Sequence, residues 1–142
     1  MKKDIKDFMV MLAVGLVFAL IVGAVSGIVQ EKITNKYLEE INTTLQQTDE
    51  ILEIQKLSEY KGQMMATRDC FLEEFISPDY ASAKAKTIIK TIDADHTGFA
   101  NDIEVSLSIH WEQFPEEVGN PIVIINTTID ELDKLIDEIK AT

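Results

Sequence analysis

Cysteine and histidine are scarce in this sequence, and their scarcity limits the chemistry that the chain can perform. Its single cysteine, Cys70, cannot form an internal disulfide, and its apolar neighbours predict a position in the core. The only two histidines, His96 and His110, do not have the spacing of a metal-binding pair. The sequence also lacks a glycine-rich phosphate loop and a nucleophile elbow. We therefore expect no enzymatic activity.

Basic residues are few as well, with 13 lysines and arginines against 25 aspartates and glutamates. The first 29 residues carry three lysines and two aspartates, so residues 30–142 hold 10 basic and 23 acidic side chains, a formal charge of −13. Such a surface repels phosphate backbones and anionic headgroups. Nucleic acid is therefore not an expected partner, whereas basic proteins and divalent cations suit this charge.

Charged residues are absent from residues 8–29, an apolar run of about 22 residues that is long enough to cross a bilayer as one helix. Small side chains on one face of such a helix allow another helix to approach closely. Within the run, small residues recur at intervals of four: Gly15, Ala19, Gly23 and Gly27. The run predicts a transmembrane helix that packs against another one, from a second copy of this chain or from another single-pass subunit.

A cleaved signal peptide is the alternative to a retained anchor, because both begin with lysines and an apolar stretch. The apolar stretch here exceeds the roughly 7–15 residues of a signal core, which favours retention. Lys2, Lys3 and Lys6 precede the run, whereas the residues after it are mixed and then acidic. The positive-inside rule predicts that residues 1–7 form a short cytoplasmic tail and that residues 30–142 are extracytoplasmic, at the cell membrane.

Residues 30–61 contain neither glycine nor proline, and they predict a helical stalk that continues the membrane helix. Spacings of three and four residues form a heptad pattern of about two to three repeats, typical of a short coiled coil or a packed bundle. The pattern is made by Leu38, Ile41, Leu45, Thr48, Leu52 and Gln55. Gly62 predicts a break after the stalk and the start of a small domain, residues 62–142.

Helix-capping residues mark two helices in this domain. Ser77 and Pro78 fit the N-cap and the first position of one helix. Thr128 and Glu131 form a capping box that predicts a C-terminal helix over about residues 129–140.

Two segments between these helices favour β-structure. Residues 103–111 alternate between apolar and polar side chains, the period of a half-buried strand, and residues 122–125 are a second β-rich run. Together they predict an antiparallel hairpin on which the C-terminal helix packs, and hence an α+β fold. A helix is the alternative for residues 103–111, because apolar residues there also recur every four positions.

Acidic and polar side chains follow one another in the segment 93–104. This segment resembles the calcium loop of the EF-hand family, which places oxygen ligands at positions 1, 3, 5, 7, 9 and 12 and glycine at position 6. Gly98 falls on the glycine position. The resemblance implies a calcium site with six ligands, the fourth through its backbone carbonyl: Asp93, Asp95, Thr97, Phe99, Asn101 and Glu104. The alternative is a polar turn in which Asp93 and Asp95 end the preceding helix and Gly98 reverses the chain.

Three functions follow from these features, and the first is favoured. The anchor and the stalk predict a single-pass structural or accessory subunit of an envelope or membrane complex. The acidic loop predicts instead a calcium- or ligand-responsive extracytoplasmic binding module. Cleavage after the apolar run would give a secreted domain.

Overall fold

The structure is a computed structural model that describes residues 2–142, with side chains from Ile5 onward. Four α-helices and one short 3-10 helix follow one another along the chain. They are α1 (Lys2–Leu72), α2 (Pro78–Asp95), α3 (Phe99–Gln113), the 3-10 helix (Pro115–Glu117) and α4 (Pro121–Ala141). Residues 2–142 contain no strand, so the predicted α+β fold is wrong and the chain is helical.

The chain divides into two compact units, Met1–Gln47 and Thr48–Thr142. The first unit contains the N-terminal part of α1. The second unit, which we call the head, contains the last part of α1 and all of the other helices.

The predicted strand over residues 103–111 is part of helix α3. Ile103 and Leu107, one helical turn apart, are buried, and Trp111, one turn further, is partly buried against the core. Val105 and Ile109, which the strand would have placed on the same face, are 51% and 55% exposed. The core therefore takes the helical subset of the alternating residues and leaves the other apolar side chains in solvent.

The second predicted strand, residues 122–125, forms the first turns of α4. The Asn120 side chain accepts a hydrogen bond from the backbone N–H of Ile122 at 3.0 Å, and Pro121 occupies the first helical position. Ile124 and Ile125 are both buried in the core. An N-cap followed by proline therefore starts a helix whose wide apolar face resembles a strand in sequence.

The predicted capping box at Thr128 is also wrong, because Thr128 lies inside α4. Its side chain is fully buried, and its hydroxyl donates a hydrogen bond to the Ile124 carbonyl at 2.7 Å. This bond satisfies the hydroxyl within the helix. The predicted cap of α2 is confirmed, since the Ser77 hydroxyl accepts from the backbone N–H of Tyr80 at 3.2 Å.

Helix α1 does not break at Gly62 but continues to Leu72. It ends where Glu74 adopts a left-handed conformation, with φ of 60°. The backbone N–H of Phe75 donates to the Cys70 carbonyl at 2.9 Å, and that of Glu74 donates to the Phe71 carbonyl at 3.0 Å. This pattern is a Schellman motif. The predicted core position of Cys70 is wrong, because its side chain is exposed.

The head core forms where α2, α3 and α4 pack against one another and against the last part of α1. Helix α1 contributes Leu57 and Met64, which are 1% and 0% exposed. Burial of a side chain of this size contributes about 1.5–3 kcal/mol. The other core residues come from the three following helices: Ala81, Ala85, Ile88, Ile92, Phe99, Ile103, Leu107, Ile124, Ile125, Ile129, Leu132 and Ile136.

Candidate functional site

The N-terminal part of α1 is apolar and long enough to span a membrane. Its most apolar 18-residue window has a mean hydropathy of 2.8, and none of that window is buried. A helix of this kind near the N-terminus is compatible with a membrane anchor or with a signal sequence.

The small residues of this segment pack against no other part of the chain that the structure describes. Apart from its chain neighbours and the nearby backbone of its own helix, a Cβ atom added to Gly15, Gly23 or Gly27 meets no atom within 4 Å, and Ala19 is exposed. Glycine in a helix interior costs about 1 kcal/mol relative to alanine. Contacts within this chain therefore do not explain why glycine occurs three times here.

The apolar heptad residues that follow the apolar segment share a face of α1 with the small residues. Gly23 and Ile41 are 18 positions apart, as are Gly27 and Leu45, and 18 residues complete about five helical turns. Ile41 is 53% exposed and Leu45 is 58% exposed. One stripe on α1 therefore carries both small and apolar side chains. We call it the α1 stripe: Gly15, Ala19, Gly23, Gly27, Leu38, Ile41 and Leu45.

Within the head, the heptad pattern and the core use different faces of α1. Leu52, the last apolar residue of the pattern, is 57% exposed, whereas Leu57 is 1% exposed. Five residues correspond to a rotation of about 140° around the helix. The pattern therefore ends on a face of α1 that is turned away from the head core.

The acidic loop connects α2 to α3 and is organised by Asp93. Oδ1 of Asp93 accepts hydrogen bonds from the backbone N–H groups of Gly98 and Ala100, at 3.1 and 3.0 Å. Gly98 has φ of 104°, a left-handed conformation that favours glycine. The carboxylate thus satisfies N–H groups at the start of α3 that have no partner within that helix.

A second acidic residue of the loop is held by α1. The Lys56 ammonium donates a hydrogen bond to Asp95, and this bond together with the lysine charge holds the pKa of Asp95 below its ordinary value. Nε2 of His96 lies 3.3 Å from a carboxylate oxygen of Glu53, also on α1. Two neighbouring polar contacts therefore fix the end of α2 against α1.

The remaining predicted calcium ligands lie mostly outside the loop itself. Thr97 is exposed, and Phe99 is the buried first residue of α3. Asn101 and Glu104 are exposed within α3. Among the residues that the structure describes, no group of three or more His, Cys, Asp or Glu side chains is arranged to hold a metal ion. Calcium binding by this segment stays a prediction.

The sequence did not reveal a groove between α2 and α3, with a volume of about 650 Å³. Its walls include Ile89 and Lys86 from α2 and Leu107 and Trp111 from α3. The indole Nε1 of Trp111 is buried and forms no hydrogen bond with the described residues. The groove residues of α2 recur at spacings of three and four, and so do the core residues of α2. The sequence pattern alone therefore does not distinguish the groove from the core.

Glu131 links α4 to α3 beside the core. Its Oε1 accepts hydrogen bonds from the Ser106 hydroxyl at 2.9 Å and from the Lys134 ammonium at 2.7 Å. Burial raises the pKa of Glu131, but these two hydrogen bonds and the lysine charge outweigh burial and leave the pKa below its ordinary value.

Comparison of the chain with protein-family models, with curated proteins and with solved structures finds no match.

Proposed function

We propose that the chain is a single-pass, membrane-anchored structural or accessory subunit of an envelope or membrane complex. In this proposal residues 1–7 lie in the cytoplasm and residues 30–142 lie outside, because lysines precede the span and acidic residues dominate beyond it. The subunit assembles with copies of itself or with other single-pass subunits. The exposed α1 stripe is the observation that carries this proposal.

Inside the membrane, the stripe supplies the kind of surface on which helices associate. Lipid provides no hydrophobic drive for two helices to pair, so close packing over small side chains becomes important. The three glycines leave the backbone of α1 uncovered on one side, because no other described part of the chain lies near the missing Cβ atoms. A partner helix that lies there gains backbone contacts that larger side chains would prevent.

Outside the membrane, the stripe becomes apolar where water surrounds the helix. Leu38, Ile41 and Leu45 are each more than half exposed. Covering a leucine or isoleucine side chain contributes about 1.5–3 kcal/mol. Residues of this type at heptad spacing pack as knobs into the holes of a second helix. The same side of α1 thus offers suitable contacts in both environments.

Cysteine cross-linking in the full chain tests this proposal. Cys70 is exposed and is first replaced by serine, because it would otherwise form disulfides of its own. A single cysteine is then introduced as Ile41→Cys or Leu45→Cys, and membranes are treated with a mild oxidant. We expect a disulfide-linked dimer, or an adduct with another single-pass subunit that contributes a cysteine.

Gln47→Cys is the matched control, since Gln47 lies about 200° around the helix from Leu45. Equal cross-linking from Gln47→Cys and Leu45→Cys would contradict a defined interface. In the span, Gly27→Leu should reduce association of the full chain while Val25→Leu, on the other side of the helix, should not. Both variants should insert equally, because neither adds a charge.

A further inference from the structure

The α2–α3 groove carries an inference that is independent of the α1 stripe. Helices α2 and α3 are in contact, are joined by the short turn at residues 96–98, and line the groove together. Asp93 and Ala100 meet at the turn end, where they share a hydrogen bond. Lys90 and Glu104 each lie about one helical turn from this hydrogen-bonded pair, whereas Lys86 and Ser108 each lie about two turns from it.

The charges along the groove are therefore unequal at its two ends. The two carboxylates that line the groove are Asp93 and Glu104, and Glu104 lies the same number of turns from the Asp93–Ala100 pair as Lys90 does. At the level of Lys86, one turn further away, no carboxylate lines the groove. One turn before Lys86 on α2 lies Ser82, whose hydroxyl forms no hydrogen bond with any residue in the described part of the chain. An ammonium and a hydroxyl, neither with a partner among the described residues, thus lie one helical turn apart on the α2 wall.

Lys86 differs from most cations of the head because it forms no ion pair with a described residue. Five lysine and arginine side chains in the head form ion pairs with carboxylates: Lys56, Lys61, Arg68, Lys134 and Lys140. The cations that form none within the described residues are Lys84, Lys86 and Lys90, all on α2, and the last two line the groove. In this strongly acidic domain, two of the three lysines that form no ion pair with a described residue therefore line the groove.

The floor of the groove is apolar and of a size suited to a small molecule. It is formed by Ile89, Ile103, Leu107, Trp111 and Ile124. A volume of about 650 Å³ lies within the range of small-molecule sites, which combine an apolar lining with a few polar groups. We propose that this groove binds a small monocarboxylate with an apolar body, whose carboxylate contacts Lys86 and Ser82 and whose body lies on the ring of Trp111.

Trp111 is the only tryptophan in the chain, so its fluorescence reports directly on this site. The full chain in phosphatidylcholine vesicles, which contain no tryptophan, is titrated with 4-phenylbutyrate up to about 10 mM, a range suited to a ligand of this size. We expect a saturable change in emission. The neutral 4-phenylbutyramide and the cationic 4-phenylbutylamine should bind at least about fivefold more weakly, because neither offers an anion to Lys86.

Three lysine variants distinguish a built site from a general attraction to charge. Lys86→Gln should weaken 4-phenylbutyrate binding about five- to tenfold and should remove the preference over the amide. Lys84→Gln is the matched control on the same helix. Lys90→Gln removes the groove lysine at the level of Glu104, one turn away from Lys86. Both should change binding less than twofold. Unchanged circular dichroism and melting temperature of the three lysine variants would exclude misfolding.

Two outcomes would overturn the proposal. One is an emission that does not change with 4-phenylbutyrate up to the highest concentration. The other is equal binding of the carboxylate, the amide and the amine, or an equal loss in all three lysine variants, since each would indicate partitioning or bulk electrostatics.

Discussion

The carboxylate of Asp93 accepts the backbone N–H of Ala100 at 3.0 Å, and so joins the last turn of α2 to the first turn of α3. The residue that resembles the first ligand of a calcium loop therefore has a structural role without any metal. Its second contact, from the N–H of Gly98, strengthens that role.

Replacement of this carboxylate should reveal its capping function. Asp93→Ala leaves two backbone N–H groups without their acceptor and should lower the free energy of unfolding of the head by about 1–2 kcal/mol. Asp93→Asn keeps an oxygen acceptor and should cost less than half as much. Denaturation by urea, followed by circular dichroism, measures both. An equal cost for the two variants would indicate that charge rather than hydrogen bonding matters.

Calcium titration separates the two interpretations of the acidic loop. Because Asp93 is occupied by backbone N–H groups and Asp95 is paired with Lys56, we expect calcium to raise the melting temperature no more than magnesium does. Glu104→Gln should then leave the response to calcium unchanged. A calcium-specific increase that Glu104→Gln abolishes would instead support an EF-hand-like site, in which this residue is the bidentate ligand.

Leu52 and Leu57 are a matched pair of leucines on α1 with opposite expected roles. Leu57→Ala should lower the stability of the head by about 2–4 kcal/mol, because the side chain is 1% exposed and its removal leaves a cavity. Leu52→Ala should change head stability by less than about 0.5 kcal/mol, since Leu52 is 57% exposed. Urea denaturation of the two variants makes this comparison. A large cost for Leu52→Ala in dilute protein would contradict the assigned faces.

Two opposite substitutions near the end of α1 should both stabilise the protein. Gly62 lies in the helix interior with open space around it, so Gly62→Ala should add about 0.5–1 kcal/mol. Glu74 has φ of 60°, and Glu74→Gly should add a similar amount by removing the strain of a side chain in that conformation. Thermal unfolding checks both. Lower stability of Glu74→Gly would mean that the Glu74 side chain has a stabilising contact.

Glu131 predicts a specific dependence of stability on pH. Its pKa in the folded head lies below the ordinary value of 4.5, so the folded state binds a proton less readily than the unfolded state. Its contribution is therefore fully present above about pH 4.5 and is lost as the pH falls through the lower folded-state pKa. Glu131→Gln should lower stability by about 1 kcal/mol at pH 7 and by much less near pH 3.

The control for this comparison is Glu116→Gln, which removes an exposed carboxylate without an ion pair among the described residues. This variant should match the unsubstituted chain at pH 7. A constant difference between Glu131→Gln and the unsubstituted chain from pH 7 to pH 3 would show that the charge of Glu131 does not contribute.

A helix end was predictable from the sequence where the capping residue is of a type that commonly caps helices. Ser77 before Pro78 is such a case, and the predicted start of α2 is correct. The end of α1 is the opposite case, because a glutamate takes the left-handed position and the nearest glycine, Gly62, lies inside the helix. Residue type alone does not show which of these positions ends the helix.

The error in fold class has a tertiary cause. Strict alternation in residues 103–111 satisfies both a strand and a helix, and only the position of the partner helices decides which apolar residues are buried. Residues 122–125 are β-rich, but Asn120 and Pro121 start a helix before them. The groove at Trp111 was not predictable for a related reason, since it depends on how far α2 and α3 stand apart.

The ion pair between Lys61 and Asp133, at 2.6 Å, joins positions that are 72 residues apart in the chain. The α1 side of the core is synthesised before Leu132 and Ile136 of α4. Leu57 and Met64 therefore stay without these core residues until α4 has been synthesised. Short connections between helices normally allow rapid folding. In this domain, however, the core is complete only when α1 contacts α4, and these two helices are far apart in the sequence. Nascent chains stopped before α4 should consequently be the species that depend most on chaperones.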